Sequence, residues 1–154
     1  VSCLCGPRGI HVLPPMLQRF SPGPKPEYRG GMLLCDAGLV ARAERLARRS
    51  IAAVSGGGLS AAASPPPESA ALGWVGVDMI LGAGDDGRGD RVLEVNPRLT
   101  TSFVGLAALF DQSLTRMLLA VADGHAADVA SAAVAARLVE FDTTGGVRVT
   151  DGSA

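Results

Sequence analysis

The amino-acid sequence predicts an α+β fold, mostly antiparallel sheet with packed helices. Three observations support this prediction. Several short apolar runs are separated by turn residues, one long segment has apolar residues at helical spacing, and two acid-bearing strands flank a Gly- and Asp-rich loop. The chain has 154 residues, which suits one domain and allows a substantial core. We therefore expect a single domain over residues 1–150.

The first 34 residues predict four short extended segments. The segments VSCLC and GIHVL are compatible with strands and are separated by the turn signal GPRG. MLQRF is a third candidate strand, which ends at the Pro-rich loop SPGPKP. YRGGML follows, and its paired glycines allow positive φ or a close approach of two backbones.

Residues 38–54 are predicted to form an amphipathic helix with Asp36 as its N-cap. Its apolar residues recur at helical spacing, namely Val40, Ala43, Ala47, Ile51 and Val54. Four arginines lie largely off this stripe and predict a solvated face rather than a nucleic-acid patch, because no aromatic residues interleave with them: Arg42, Arg45, Arg48 and Arg49. The low-complexity segment 55–69 predicts a flexible loop or insertion.

The second half of the chain predicts a hairpin followed by helices. Strands over 75–81 and 91–96 flank the polar loop GAGDDGRGD. One helix is expected from Ser102 to about Ala122, with the apolar stripe Phe103, Ala107, Phe110, Leu114, Met117 and Val121. A second, Ala-rich helix is expected over about 126–139. The segment GGVRVT then predicts a short edge strand.

Composition and charge exclude several classes of protein. The formal net charge is −1, so the chain offers no basic field for nucleic acid. Its longest apolar runs are too short to span a bilayer, and the N-terminus lacks the pattern of a signal peptide. The three cysteines do not form a recognisable disulfide framework, so a reducing cytoplasm is the expected location.

Each strand of the predicted hairpin carries a carboxylate in the middle of one face. Side chains alternate along a strand, so Glu94 and Asn96 point the same way from the second strand, and Asp78 lies on the less apolar face of the first. If Leu81 pairs with Arg91, Asp78 lies directly opposite Glu94. Like charges in that position are destabilising, and a bound cation removes the conflict.

The same register places Gly76 opposite Asn96, which is expected to leave room above the sheet for a ligand. Two carboxylates and one amide are oxygen ligands that suit Mg²⁺ or Mn²⁺. Because Mg²⁺ completes its shell with water and substrate phosphates, a partial cage of Asp78, Glu94 and Asn96 implies a phosphorylated ligand, most simply a nucleoside triphosphate. A surface hairpin with solvated acids accounts for these residues equally well.

Arg98 and three hydroxyl residues follow the second strand. The planar guanidinium fork of arginine suits a phosphate or a carboxylate. Thr100, Thr101 and Ser102 then lead into a predicted helix N-terminus, which favours anions. We expect Thr101 or Ser102 to cap this helix rather than to contact a ligand.

The segments GWVGVDMIL and RVLEVNPRLTTSFVGL together resemble the C-terminal core of the ATP-grasp superfamily. Members of that superfamily carry an acid on one strand and E-x-N on the next, which hold one or two Mg²⁺ ions against the ATP phosphates. The run EVNPRLTTSFVGL is similar to the tyramine–glutamate ligase type of ATP-grasp protein. GPRGIHVLPPMLQRF and YRGGML also resemble that subgroup, so the resemblance extends from residue 1 to about residue 120.

The resemblance implies a role for each residue that matches the motif. Asp78, Glu94 and Asn96 would be the metal ligands, and Glu94, Asn96 and Arg98 would hold Mg·ATP. Arg98 would be the catalytic residue that binds the acyl phosphate or the substrate carboxylate, with Thr100 and Thr101 beside the substrate. In the implied reaction, ATP phosphorylates a small-molecule carboxylate and an amine displaces the phosphate.

The superfamily's ATP-binding lysines and adenine hinge lie upstream of the segment that matches Val1. We therefore expect a partial ATP-grasp domain over 1–150 that lacks its N-terminal lobe and is inactive alone. Two other interpretations stay open, a non-catalytic binding or scaffold domain and a biotin-carboxylase-like carboxylating enzyme. No nucleic-acid or membrane partner is expected, and a homo-oligomer is compatible with the sequence.

Overall fold

The computed structural model describes residues 1–55, 71–125 and 137–151. These ranges contain eight strands and three helices in a mixed α+β arrangement. The elements in chain order are β1 (Ser2–Gly6), β2 (Gly9–Val12), β3 (Met16–Phe20), β4 (Tyr28–Leu33), α1 (Ala37–Val54), β5 (Gly73–Ile80), β6 (Arg91–Asn96), α2 (Ser102–Leu109), α3 (Leu114–Ala122), β7 (Arg137–Phe141) and β8 (Val147–Asp151).

The strands form two antiparallel sheets of four strands each. Sheet A has the order β2-β1-β5-β6, and sheet B has the order β3-β4-β7-β8. The predicted hairpin is therefore the β5–β6 pair of sheet A, and β5 lies inside the sheet between β1 and β6. The predicted α+β class with mostly antiparallel sheet is confirmed.

Helix α1 covers one face of sheet A. Asp36 caps it as predicted, because its Oδ1 accepts a hydrogen bond of 2.8 Å from the backbone N–H of Leu39. The buried stripe of the helix packs on every second side chain of β1 and β5, those that point to this face of the sheet. The cluster consists of Ala47, Ile51, Cys3, Cys5, Val75 and Val77. The predicted stripe ends early, since Val54 is exposed.

Helix α3 covers the opposite face of sheet A, and α2 packs against strands β4, β7 and β8 of sheet B. They bury the larger core cluster of Leu4, Leu13, Trp74, Leu106, Leu109, Phe110, Leu114, Met117, Val121 and Val139. Because the side chains of α2 on sheet B share this cluster with Leu4 and Trp74 of sheet A, α2 helps to close one side of the space between the sheets. That space contains the predicted site.

The single helix predicted from Ser102 to Ala122 is wrong, because the chain breaks between α2 and α3. Phe110 is extended, with φ −95° and ψ 136°, and its ring is buried in the core. Ser113 is also extended, and α3 begins after it. The polar residues between them favour a turn over a helix interior, and the break lets both Phe110 and Leu114 reach the core.

Three further predictions concern the remaining segments. The helix predicted over 126–139 lies mostly outside the described residues, and its end is wrong because Arg137–Phe141 is strand β7. The edge strand predicted from GGVRVT is confirmed as β8. The predicted loop over 55–69 lies outside the described residues from residue 56 onward. Among the described residues, no helix combines the length and apolar character that a bilayer crossing requires.

Candidate functional site

A cavity of about 270 Å³ lies between the two sheets. Sheet A contributes Asp78 and Asn96, and the loop from β6 to α2 contributes Arg98 and the hydroxyl residues. Sheet B supplies a wall that is mainly apolar and aromatic, with Met16, Leu17, Gln18, Phe20, Tyr28, Gly31 and Phe141. The predicted motif residues thus face a concave space, and an apolar wall with few polar groups is typical of ligand sites.

The predicted opposition of the two acids is confirmed. Asp78 pairs with Glu94 across the β5–β6 ladder, and Gly76 pairs with Asn96. The two carboxylates therefore leave the same face of sheet A. That face is the one turned toward the cavity at Asp78 and Asn96.

The predicted pairing of Leu81 with Arg91 is wrong. The ladder is irregular just after Asp78, where Met79 pairs with Val92 and Ile80 pairs with Arg91. Leu93 is consequently an extra residue on β6, and its side chain is exposed. A bulge of this kind bends an edge strand, and sequence alternation alone does not reveal it.

A buried ion pair beneath the hairpin loop helps to hold this register. Arg42 of α1, predicted to be solvated, is only 6% exposed. Its guanidinium donates to both carboxylate oxygens of Asp90 and to the carbonyl of Gly82, and the Gly82 N–H donates to Asp90. The hydrogen bonds from Arg42 hold the pKa of Asp90 below its usual range. The loop ends at 82 and 90 are thereby fastened to helix α1.

Both carboxylate oxygens of Asp78 accept amide hydrogen bonds. Gln18 Nε2 of sheet B donates to Oδ1 over 3.0 Å, and Asn96 Nδ2 donates to Oδ2 over 3.4 Å. Asn96 is 5% exposed and is one of three buried polar or charged residues among those described. Glu94 is exposed and does not belong to the cavity wall. Asp78 and Asn96 therefore form the inner part of the candidate metal site.

The donor set of this site fits a hard divalent cation. Within the described ranges, no three His, Cys, Asp or Glu side chains lie close enough together to hold a metal ion. The predicted set has only two such residues, Asp78 and Glu94, with the amide of Asn96. For Asn96 to offer its carbonyl oxygen, its amide would have to turn, since its nitrogen faces Asp78. Such a set suits Mg²⁺ or Mn²⁺, which keep much of their water shell.

Arg98 lies at the cavity and its side chain is exposed. Its backbone N–H donates to the carbonyl of Asn96 over 2.8 Å, so a tight turn carries the arginine back beside the end of β6. Its Nη1 donates to the carbonyl of Leu99 over 3.2 Å. A guanidinium has five N–H donors, which leaves Arg98 with capacity for an anion.

The hydroxyls that follow Arg98 form a cluster rather than a helix cap. Ser102 Oγ lies 2.7 Å from both Ser2 Oγ and Thr100 Oγ1, and Ser2 Oγ lies 3.2 Å from Thr100 Oγ1. Thr101 is the N-cap residue of α2, but its side chain makes no cap hydrogen bond and its Oγ1 lies 3.0 Å from Tyr28 Oη. The prediction that Thr101 or Ser102 caps the helix through its side chain is therefore wrong.

The space for a ligand that was predicted above Gly76 is filled by the side chain of Thr100. A Cβ at that position would lie 2.4 Å from Cγ2 of Thr100. The missing side chain thus allows the loop before α2 to approach β5, which brings the Thr100 hydroxyl to Ser2 and Ser102. Gly76 shapes the cavity wall and does not leave space for a ligand.

Comparison with protein-family models, with curated proteins and with solved structures finds no match to this chain. The site is therefore described by its own geometry. Three of its residues escaped the sequence analysis, namely Ser2, Gln18 and Tyr28. They lie on β1, β3 and β4, far along the chain from the hairpin, and none belongs to a motif that signals chemistry.

Proposed function

We propose that this chain is the Mg·ATP-binding part of an ATP-grasp ligase. Such a ligase activates a carboxylate as an acyl phosphate, which an amine then attacks. The observation that carries the proposal is the position of Asp78, which lies opposite Glu94, beside buried Asn96, and at a cavity between two antiparallel sheets. A solvated surface hairpin is less consistent with this arrangement, because β5 is an interior strand.

Each group of the site has a distinct part in this proposal. Asp78, Glu94 and Asn96 would hold the metal ion, whose contribution is to neutralise phosphate charge. Arg98 would bind the acyl phosphate or the substrate carboxylate through its N–H fork. The Thr100 and Thr101 hydroxyls would lie beside the substrate, and the aromatic wall of sheet B would exclude water. The acid and amine are small molecules whose identity this geometry does not select.

A paramagnetic titration tests the metal site directly. Mn²⁺ broadens the NMR signals of nearby amides, so it locates even a weak site along the chain. We expect the strongest broadening at the amides of residues 76–79 and 94–98, and we expect ATP to increase Mn²⁺ affinity. The double variant Glu94→Ala/Asn96→Ala should bind Mn·ATP at least about tenfold more weakly, since even groups behind metal ligands alter affinity that much.

A second double variant provides the matched control. Asp111→Ala with Gln112→Ala also removes one acid and one amide, from an exposed turn between α2 and α3. This variant should bind Mn·ATP like the wild type. The alternative is a structural or scaffold domain. It predicts equally strong broadening at the exposed acids of the 82–90 loop, which neither ATP nor the variant Glu94→Ala/Asn96→Ala changes.

A further inference from the structure

One side-chain hydrogen bond crosses the space between the two sheets at the candidate metal site. Gln18 Nε2, on β3 of sheet B, donates to Asp78 Oδ1, on β5 of sheet A, over 3.0 Å. The residues are 60 positions apart in the chain. Because Asp78 is a proposed metal ligand, the bond connects an edge strand of sheet B to the candidate metal site on sheet A.

This bond also lies between two chambers of the cleft. The cavity of about 270 Å³ contains Asn96, Arg98 and the hydroxyl residues. A second cavity of about 190 Å³ has an apolar wall that includes Pro15, Leu34 and Val77. The boundary between the cavities is formed by the residues that line both, and Gln18 and Asp78 are its polar pair beside Val1, Met16, Leu17 and Phe20. Each chamber is smaller than the roughly 300 Å³ at which drug-sized ligand pockets begin.

A divalent cation at Asp78 would compete with the amide donors already there. Gln18 donates to Oδ1 and Asn96 donates to Oδ2, so one lone pair on each oxygen is used, and the partial positive charge of each N–H opposes a cation placed beside it. Asn96 is buried, whereas Gln18 is exposed on an edge strand. Asn96 can turn its amide in place, so that its oxygen faces the cation. Gln18 is not a proposed ligand and can turn away from Asp78 without uncovering the core, so it is the donor that leaves the site.

We infer that Gln18 is a positioning residue for Asp78 that a bound divalent cation displaces. Its amide holds the carboxylate across the cleft, in the polar part of the boundary between the two chambers. When a divalent cation binds Asp78, Gln18 releases the carboxylate and the polar part of the boundary between the chambers opens. The inference rests on the proposed function, because it takes Asp78 as a cation ligand.

Replacement of Gln18 by methionine tests the competition. Gln18→Met keeps a side chain of similar length but removes the N–H donor. Without this donor, the cation no longer has to break a hydrogen bond to Asp78. Mn²⁺ should therefore bind Gln18→Met about threefold more tightly than it binds the wild type. Water-proton relaxation with Mn²⁺ alone measures this affinity. Gln112→Met makes the same substitution at the exposed turn between α2 and α3, and should leave Mn²⁺ affinity unchanged.

A second measurement uses the wild-type protein and does not depend on a variant that folds. Mg²⁺ is diamagnetic, so the side-chain NH₂ signals of the two glutamines can be followed during its titration. The Gln18 signals should move toward those of a solvent-exposed amide as its bond to Asp78 breaks. The Gln112 signals should not move. A purely structural role for Gln18 predicts no change in either pair.

The two proposals fail in different ways. If the wild type binds Mn²⁺ near Asp78 but Gln18→Met binds it equally or more weakly, the displacement inference is wrong while the metal site stands. Gln18 signals that stay constant through Mg²⁺ saturation also overturn the inference. If the wild type binds no divalent cation near Asp78, with or without ATP, the proposed function is wrong and the role of Gln18 is wrong with it.

Discussion

The close contact between Gly76 and Thr100 leads to a quantitative prediction for Gly76→Ala. The added Cβ would lie 2.4 Å from Thr100 Cγ2, whereas non-bonded carbons prefer about 3.5–4.0 Å, so the groups must separate by about 1 Å. Thr100 resists this movement because its hydroxyl lies within hydrogen-bonding distance of Ser2 and Ser102. Overpacking of this kind costs about 1–3 kcal/mol. The lower chain entropy of unfolded alanine offsets about 0.5–1 kcal/mol.

We therefore expect Gly76→Ala to lower the free energy of unfolding by about 1–2 kcal/mol. Urea unfolding measures it, and the fluorescence of Trp74, the only tryptophan, reports the core. Thr100→Ser removes the clashing methyl and keeps the hydroxyl, and alone it should cost no more than about 0.8 kcal/mol. The double variant Gly76→Ala/Thr100→Ser should be about as stable as Thr100→Ser.

Gly38→Ala, at an exposed position in the first turn of α1, is the control for chain entropy without a backbone or core clash. It should be neutral or stabilising by up to about 1 kcal/mol. The reasoning fails if Gly76→Ala matches the wild type in stability. It also fails if the double variant loses the sum of the two single losses, since the methyl contact would then not be the cause.

Two other predictions concern titratable groups away from the cavity. Asp90→Asn removes a carboxylate whose pKa lies below its usual range because of its hydrogen bonds from Arg42. A carboxylate with a lowered pKa stabilises the fold above its unfolded-state pKa, and this stabilisation is lost as the pH falls through the folded-state pKa. The urea midpoint of Asp90→Asn should therefore lie below that of the wild type at pH 7, with the gap closing below about pH 4; a constant gap contradicts this. Burial raises the pKa of Cys3 to about 12 and that of Cys5 to about 11, while Cys35 is exposed. One thiol per native chain should react rapidly with a disulfide reagent at pH 8 and the other two only after unfolding in urea, whereas three fast thiols would show an open core.

The hairpin shows how much of the site could be predicted from local pattern. Alternation along 75–81 and 91–96 predicted the strand face on which Asp78 and Glu94 each lie, because a strand has only two faces and one of them is buried. Their direct opposition followed from the assumed register at the loop. The Leu81 pairing failed because the bulge at Leu93 adds one residue to β6 beyond the acids. Asp78 still pairs with Glu94 as predicted, because the extra residue on β6 offsets the one-residue error in the pairing beside the loop.

For the helices too, local signals in the sequence predicted one feature and missed another. The helix after Asp36 was predicted well, because its cap and its stripe are both local signals. The break at Phe110 was not, because the apolar spacing continues across it into α3. Burial of Phe110 against the core favours an extended residue there, and that energy comes from neighbours distant in the chain.

The sequence by itself determined helix α1, the strands of the first 34 residues and the hairpin, together with the candidate residues Asp78, Glu94, Asn96 and Arg98, because caps, periodicity and strand alternation act over a few positions. Only the tertiary structure decided what surrounds them. Residues on β1, β3 and β4 supply Ser2, Gln18 and Tyr28, and helix α1 supplies Arg42 as a buried partner for the hairpin loop. Those contacts depend on how the two sheets and the helices pack, and packing joins positions whose separation along the chain carries no pattern.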